Sequence, residues 1–99
     1  MKGTKHRPYR ASDYLKTKKD IVAYLNAALE DGDPAVLLEA LRNVAQARGG
    51  MSALAKAAGV SRESLYRTLS RRGNPKIETV MALLRALDLK LTIKQHKAA

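Results

Sequence analysis

The stretch from Met51 to Leu69, MSALAKAAGVSRESLYRTL, decides the fold. Its apolar residues follow helical spacing on both sides of Gly59, and Ser61 is a good N-cap for a helix that begins at residue 62. Gly59 falls where a short turn needs a positive φ, a conformation that a Cβ atom disfavours. The spacing predicts two short helices, at 52–58 and 62–69, that cross at a steep angle as a helix-turn-helix at 51–69.

Five positions of this stretch fit the inside of the motif. Ala55 falls where the two helices touch, because a larger side chain would push them apart. Val60 and Leu65 are expected to fill the space between the helices, and Leu54 and Leu69 are expected to face the core. The outward face of the second helix is therefore polar, apart from one tyrosine.

This outward face has the residue types that read base pairs. A recognition helix enters the major groove with its N-terminal residues on base edges. Arg62 and Arg67 suit a bidentate contact with guanine, and Glu63 is able to accept from a cytosine amino group or to orient an arginine. Two alternatives stay open: the charges are a solvated surface, and Tyr66 packs on the aliphatic part of a neighbour.

Phosphate contacts are expected on either side of the reading helix. Ser52, Ser61 and Ser64 stand near helix starts, where hydroxyl groups and the helix dipole favour an anion. The polar turn at 70–75 adds cations and an amide that suit phosphate clamping. The predicted DNA-binding residues are Ser52, Ser61, Arg62, Glu63, Ser64, Tyr66, Arg67, Arg71, Arg72, Asn74 and Lys76.

Three further helices are predicted around this motif. The first has Thr17 and Asp20 as a capping box and ends at Gly32. The second starts at Asp33-Pro34, with Asp as the cap and Pro at the first helical position, and ends at Gly49-Gly50. The third of these follows the turn at 70–75. The apolar stripes expected to face the core are Ile21, Tyr24, Leu25, Ala28 and Leu29, then Leu37, Leu41, Val44 and Ala45, then Ile77, Val80, Met81, Leu84 and Leu87.

The two ends of the chain differ from this helical pattern. Residues 1–12 are basic and aperiodic, so they are predicted to be a flexible basic arm or a disordered tail without a role, ahead of a single domain at 13–99. Residues 89–95 alternate apolar and polar side chains, which predicts a half-buried strand. A lone strand leaves its backbone groups unpaired, so we expect pairing with the same strand of a second molecule across a two-fold axis. An extended tail on the chain's own helices is the alternative.

Composition narrows the class of function. The net charge of +10 points to a polyanion partner. It is segregated, because residues 1–20 carry seven basic and two acidic side chains, residues 21–50 two and four, and residues 51–99 ten and three. The chain has no cysteine, and His6 and His96 lie in opposite tails, so no metal, no cofactor and no catalytic residue is expected. No apolar run has membrane-spanning length and no secretory h-region is present, so we expect a cytoplasmic protein. Because the carboxylates also lack a partner histidine, we expect that it is not an enzyme.

The sequence resembles the addiction-module antidote family, HigA-like antitoxins with an Xre-type helix-turn-helix. The resemblance is carried by Gly32-Asp33-Pro34, by residues 59–66 with the sequence GVSRESLY, and by Gly73-Asn74-Pro75, and it covers about residues 10–95. It implies an all-α, five-helix, lambda-repressor-like helix-turn-helix domain, here with a short C-terminal β-strand. The family's DNA-reading positions fall on Ser61, Arg62, Glu63, Ser64 and Arg67.

The resemblance also implies a partner protein. Such an antitoxin binds a RelE/ParE-type toxin, often a ribonuclease, and represses the shared operon. The expected two-fold dimer separately predicts a palindromic operator. RelE-like ribonucleases are commonly basic, and residues 21–50 are the acidic part of this chain, so the toxin-binding residues are predicted to be Tyr24, Glu30, Asp31 and Asp33. The alternative for the acidic residues is a solvated turn. The alternatives for the whole protein are a stand-alone phage-type regulator and a toxin-neutralising module whose helix-turn-helix is only a scaffold.

Overall fold

The computed structural model describes residues 11–70 and 72–96. A short 3-10 helix at Ala11–Tyr14 precedes the α-helices, which span Lys18–Asp31 (α1), Pro34–Ala47 (α2), Met51–Ala58 (α3), Arg62–Thr68 (α4) and Ile77–Ala86 (α5). Helix α1 packs on α2, α2 also touches α3, and α3 holds both α4 and α5. The expected all-α class with five α-helices is confirmed over the described residues. No helix in these ranges is both long enough and apolar enough to cross a membrane.

The helix ends follow the local signals of the sequence. At the start of α1 the Thr17 hydroxyl accepts from the Asp20 N–H at 3.1 Å, and the Asp20 carboxylate accepts from the Thr17 N–H at 3.0 Å, which forms the predicted capping box. The hydrogen bond from the Thr17 backbone is the main reason that the pKa of Asp20 lies below its usual value. Gly32 ends α1 in the left-handed conformation, and Asp33 caps the Ala35 N–H of α2 at 3.0 Å.

A single core lies between these helices. It takes its largest fully buried side chains from α2, α4, α5 and the residue that follows α4. Its members are Leu15, Ile21, Leu25, Ala28, Leu38, Ala40, Leu41, Val44, Ala45, Met51, Leu54, Ala55, Leu65, Leu69, Leu83 and Leu87. The described buried residues include no polar or charged side chain, so hydrophobic burial accounts for the packing of this core.

Two predicted apolar stripes are partly wrong. Leu29 of α1 is 46% exposed, although its neighbours Ile21, Leu25 and Ala28 are buried as expected. In α5 the buried residue is Leu83, which the stripe left out, whereas Ile77 and Met81 are exposed. Helix α5 itself carries apolar side chains on most of its sides, so helical periodicity alone does not determine which side meets the core.

The predicted C-terminal strand at 89–95 is not seen. Residues 89–96 have no regular secondary structure, and the described part of the chain contains no strand with which they pair. The Leu89 N–H still bonds the Leu84 carbonyl at 2.8 Å, and no backbone hydrogen bond follows it among the described residues. Alternation of side chains therefore wrongly predicted a strand in the described part of one chain, and pairing with a second molecule stays a prediction.

The basic arm falls mostly outside the described residues. Residues 1–10 are not described, so the prediction of a flexible arm over that range stays a prediction. The last two residues assigned to the arm, at positions 11 and 12, instead form the first half of the 3-10 helix that rests on α2. Leu15 directly after it is buried and anchors this end of the domain.

Candidate nucleic-acid interface

The turn between α3 and α4 has the predicted geometry. Gly59 adopts φ +75° and its N–H bonds the Lys56 carbonyl at 3.2 Å, while the Val60 N–H bonds the Ala55 carbonyl at 3.0 Å. These bonds satisfy carbonyls in the last turn of α3, and the left-handed glycine ends the helix three residues before α4 begins. Helix α4 then begins after Ser61, whose hydroxyl accepts from the Ser64 N–H at 3.0 Å.

The inner side of the motif is buried as predicted. Leu65 and Leu69 are almost fully excluded from solvent, as are Leu54 and Ala55 of α3. Val60 is partly buried and packs against the same core. Because Leu65 is the buried residue within α4, this one side chain fixes how the short helix is rotated on α3.

The outer side of α4 is open to solvent. The structure exposes Ser61, Arg62, Glu63, Tyr66 and Arg67 together, and it leaves Ser64 half-buried. Arg62 and Arg67 are therefore both on the solvent-exposed side of α4, the side that the sequence assigned to base contacts. Arginine on the exposed side of a helix is the residue type that most often binds guanine edges in a major groove.

Arg62 has an aromatic neighbour that sequence analysis did not predict. Its guanidinium carbon lies 5.3 Å from the centroid of the Tyr66 ring, four residues along the same helix. The ion pair present among residues 11–70 and 72–96 is that of Lys18 with Asp88, so Glu63 does not pair with an arginine there. The i to i+4 spacing of Arg62 and Tyr66 could have predicted their contact, because this spacing brings side chains together on a helix.

The turn after α4 exposes three of the four predicted phosphate ligands. Arg72, Asn74 and Lys76 are exposed, whereas Arg71 lies outside the described residues. Gly73 holds this turn against α4, and its N–H bonds the Ser70 carbonyl at 2.8 Å. Ser52 is exposed in the first turn of α3, which starts at Met51 rather than at Ser52.

The predicted toxin-binding residues do not form one cluster. Tyr24 is half-buried and its hydroxyl accepts from the Asn43 amide at 2.8 Å. Tyr24 and Asp31 line a shallow groove between α1 and α2, together with Glu39, which the prediction left out. Asp31 accepts from the Asp33 N–H at 3.2 Å, and Asp33 caps α2, so both carboxylates also hold the turn together. The lining of this groove does not include Glu30, which is exposed.

An apolar groove lies elsewhere on the surface and was not predicted. Its lining runs from α1 and α2 across α5 to the C-terminal segment at 89–96, and it includes Val22, Leu37, Leu84 and Leu91. Leu91 and Val22 are each more than two-fifths exposed, and Ile93 beyond them is 93% exposed. A contiguous exposed apolar surface of this kind is a feature of interaction sites.

The comparisons with known proteins concern the family of the chain. A family model described as "Probable addiction module antidote protein" matches residues 5–95. An uncharacterized protein of Haemophilus influenzae is 38% identical over 93 residues, which cover 94% of this chain and 95% of that protein. No solved structure matches. The chain belongs to the addiction module antidote family.

Proposed function

We propose that this chain is a DNA-binding antitoxin of a type II toxin–antitoxin module, which neutralises a RelE/ParE-like toxin and represses its own operon. The family supports the antitoxin role. The observation that carries DNA binding is the exposed face of α4, where Arg62 and Arg67 stand on a helix fixed by the buried Leu65. The protein needs no cofactor or metal for either role and acts by binding rather than by catalysis.

Removal of the Arg62 side chain tests the DNA contact. Arg62→Ala should weaken binding to the chain's own promoter by about 1–3 kcal/mol, because a bidentate contact with one base pair is lost. Fluorescence anisotropy at fixed salt measures this change. Arg85→Ala is the matched control, since it removes the same charge from an exposed position on α5. If both variants bind equally well, α4 does not read the operator.

The groove between α1 and α2 is the proposed toxin contact. Its rim carries Asp31 and Glu39, which would attract a basic toxin, and the Tyr24 hydroxyl is fixed by Asn43. Reversing Asp33 or Asp31 would confuse binding with folding, because both carboxylates hold the α1–α2 turn. Glu39 is the better test residue, since it is exposed and no hydrogen bond among the described residues engages it.

Glu39→Lys should weaken toxin binding about tenfold or more through like-charge repulsion. The measurement is co-expression with the neighbouring gene product, followed by size-exclusion chromatography and titration of the purified partners. Glu78→Lys makes the same charge reversal on an exposed residue of α5 and should leave binding intact. Equal affinity of the two variants would remove this groove from the interface. A wild-type chain that retains no partner at all would favour a stand-alone regulator instead.

The repressor is proposed to act as a homodimer through the segment at 89–96. Its backbone beyond Leu89 makes no hydrogen bond within the described part of the chain, and Ile93 is 93% exposed. Two copies of the same segment would be self-complementary across a two-fold axis if each became a strand on pairing. Such a dimer would place two reading helices about 34 Å apart on a palindromic operator.

Ile93→Lys should raise the dimer dissociation constant about tenfold or more, because pairing would bury an unpaired charge. Sedimentation equilibrium measures the constant. Ala23→Lys adds the same charge at an exposed position of α1 and serves as the control. A dimer that survives Ile93→Lys unchanged would place the two-fold contact on another surface.

A further inference from the structure

The outer face of α4 carries a pair of side chains whose contact is already formed in the free protein. Arg62 and Tyr66 are four residues apart, both are exposed, and the guanidinium carbon lies 5.3 Å from the ring centroid. A cation at this distance over an aromatic face is held by the negative electrostatic potential of the ring. The pair therefore forms before any DNA arrives.

The contact restricts an otherwise flexible side chain. A free arginine loses much of its rotamer freedom when it binds a base, and this loss reduces the affinity that the new hydrogen bonds supply. A guanidinium that already rests on a ring loses less, because part of the ordering precedes binding. The edge that carries the N–H donors stays available, since no ion pair among the described residues occupies Arg62.

The planar shape of the Arg62 guanidinium favours one class of ligand. A guanidinium donates two parallel hydrogen bonds in its own plane, which match the O6 and N7 acceptors of guanine. An aromatic neighbour interacts with the cation through its face and leaves the N–H donors free for guanine, unlike a carboxylate, which would accept from the same N–H groups. Tyr66 is thus suited to present Arg62 without blocking it.

We infer that Tyr66 is a positioning residue that pre-orients Arg62 for one guanine of the operator, so that the two side chains act as a single reading unit. The inference rests on the proposed DNA binding. The aromatic ring of Tyr66 orients Arg62, and the Tyr66 hydroxyl group is not required for this role. A lysine at position 62 could not replace the arginine, because an ammonium lacks the planar pair of donors.

The test compares binding to the operator and to operators with each base pair changed in turn. Tyr66→Leu keeps apolar bulk and helix propensity but removes the ring, and it should lower operator affinity about 3- to 10-fold. The loss should be confined to the base pair at which Arg62→Ala and Arg62→Lys also lose discrimination. Tyr66→Phe keeps the ring and should bind and discriminate like the wild type.

A double variant separates positioning from an independent contact. Arg62→Ala with Tyr66→Leu should bind no more weakly than Arg62→Ala alone, because the ring acts only through the arginine. Three results would overturn the inference. They are additive losses of operator affinity in the double variant, a Tyr66→Leu effect at another base pair, and a Tyr66→Phe variant that binds as weakly as Tyr66→Leu. Equal thermal midpoints of all variants would show that folding is not the cause. If the wild type itself shows no sequence preference, the proposed function has failed, which is a distinguishable result.

Discussion

Replacement of Leu65 by alanine is expected to lower the free energy of unfolding by about 2–5 kcal/mol. Leu65 is 1% exposed and is the buried residue within the seven-residue helix α4. Truncation would leave a cavity between α3 and α4, and so short a helix has little stability of its own in water. Urea unfolding followed by far-ultraviolet circular dichroism measures the loss.

Leu29→Ala is the matched control for this experiment. It makes the same chemical change at a position that is 46% exposed, and its effect should stay below about 1 kcal/mol. Both variants are compared with the wild type at one protein concentration, because a dimer makes apparent stability depend on concentration. Equal losses in the two variants would mean that Leu65 is not a packing centre of the motif.

Loss of Leu65 should also reduce DNA affinity without removing any group that touches DNA. The buried leucine sets the rotation of α4 and therefore the direction in which Arg62 and Arg67 project. Recognition of base edges depends on that direction more than on the presence of charge. Discrimination between operators should accordingly fall further than binding to unrelated DNA.

Local signals predicted the helix ends because their causes are local. The capping box of Thr17 and Asp20, the cap at Asp33 and the left-handed Gly59 each involve residues no more than four positions apart. Such interactions compete with little else in the chain, so short motifs identify them. The exposed side of α4 was predicted in the same way, because the apolar positions that follow Gly59 indicated which side of the helix is buried.

Features that depend on distant partners were not predictable in this way. The choice of Leu83 over Met81 as the core residue of α5 depends on how that helix lies on α3. The strand at 89–95 required a partner that one chain does not supply within its described residues. The second role of Asp31, which accepts from the Asp33 N–H, appears only when the turn is folded. Periodicity reports burial on average and does not report which neighbour causes it.

Gly73 provides the other large expected effect, and its cause is steric. A Cβ atom at this position would lie 1.9 Å from the Thr68 carbonyl oxygen and 2.7 Å from the Thr68 carbonyl carbon. Both are backbone atoms at the end of α4, so they cannot rotate away as a flexible side chain could. Gly73→Ala should therefore displace the turn that carries Arg72 and Asn74, and it should lower stability by about 1–3 kcal/mol.

Gly59 offers a contrasting glycine within the same motif. It has φ +75°, and a Cβ atom there would meet no neighbouring group within 4 Å, so a substitution causes strain without a clash. Gly59→Ala should cost about 1–2 kcal/mol, and Gly59→Asn should cost less, because asparagine tolerates the left-handed conformation. At Gly73 the asparagine variant should be less stable than the alanine variant, because asparagine is larger and the side chain there clashes with the backbone of Thr68. Thermal unfolding of the four variants measures both orders, and a Gly73→Asn variant more stable than Gly73→Ala would contradict the steric explanation.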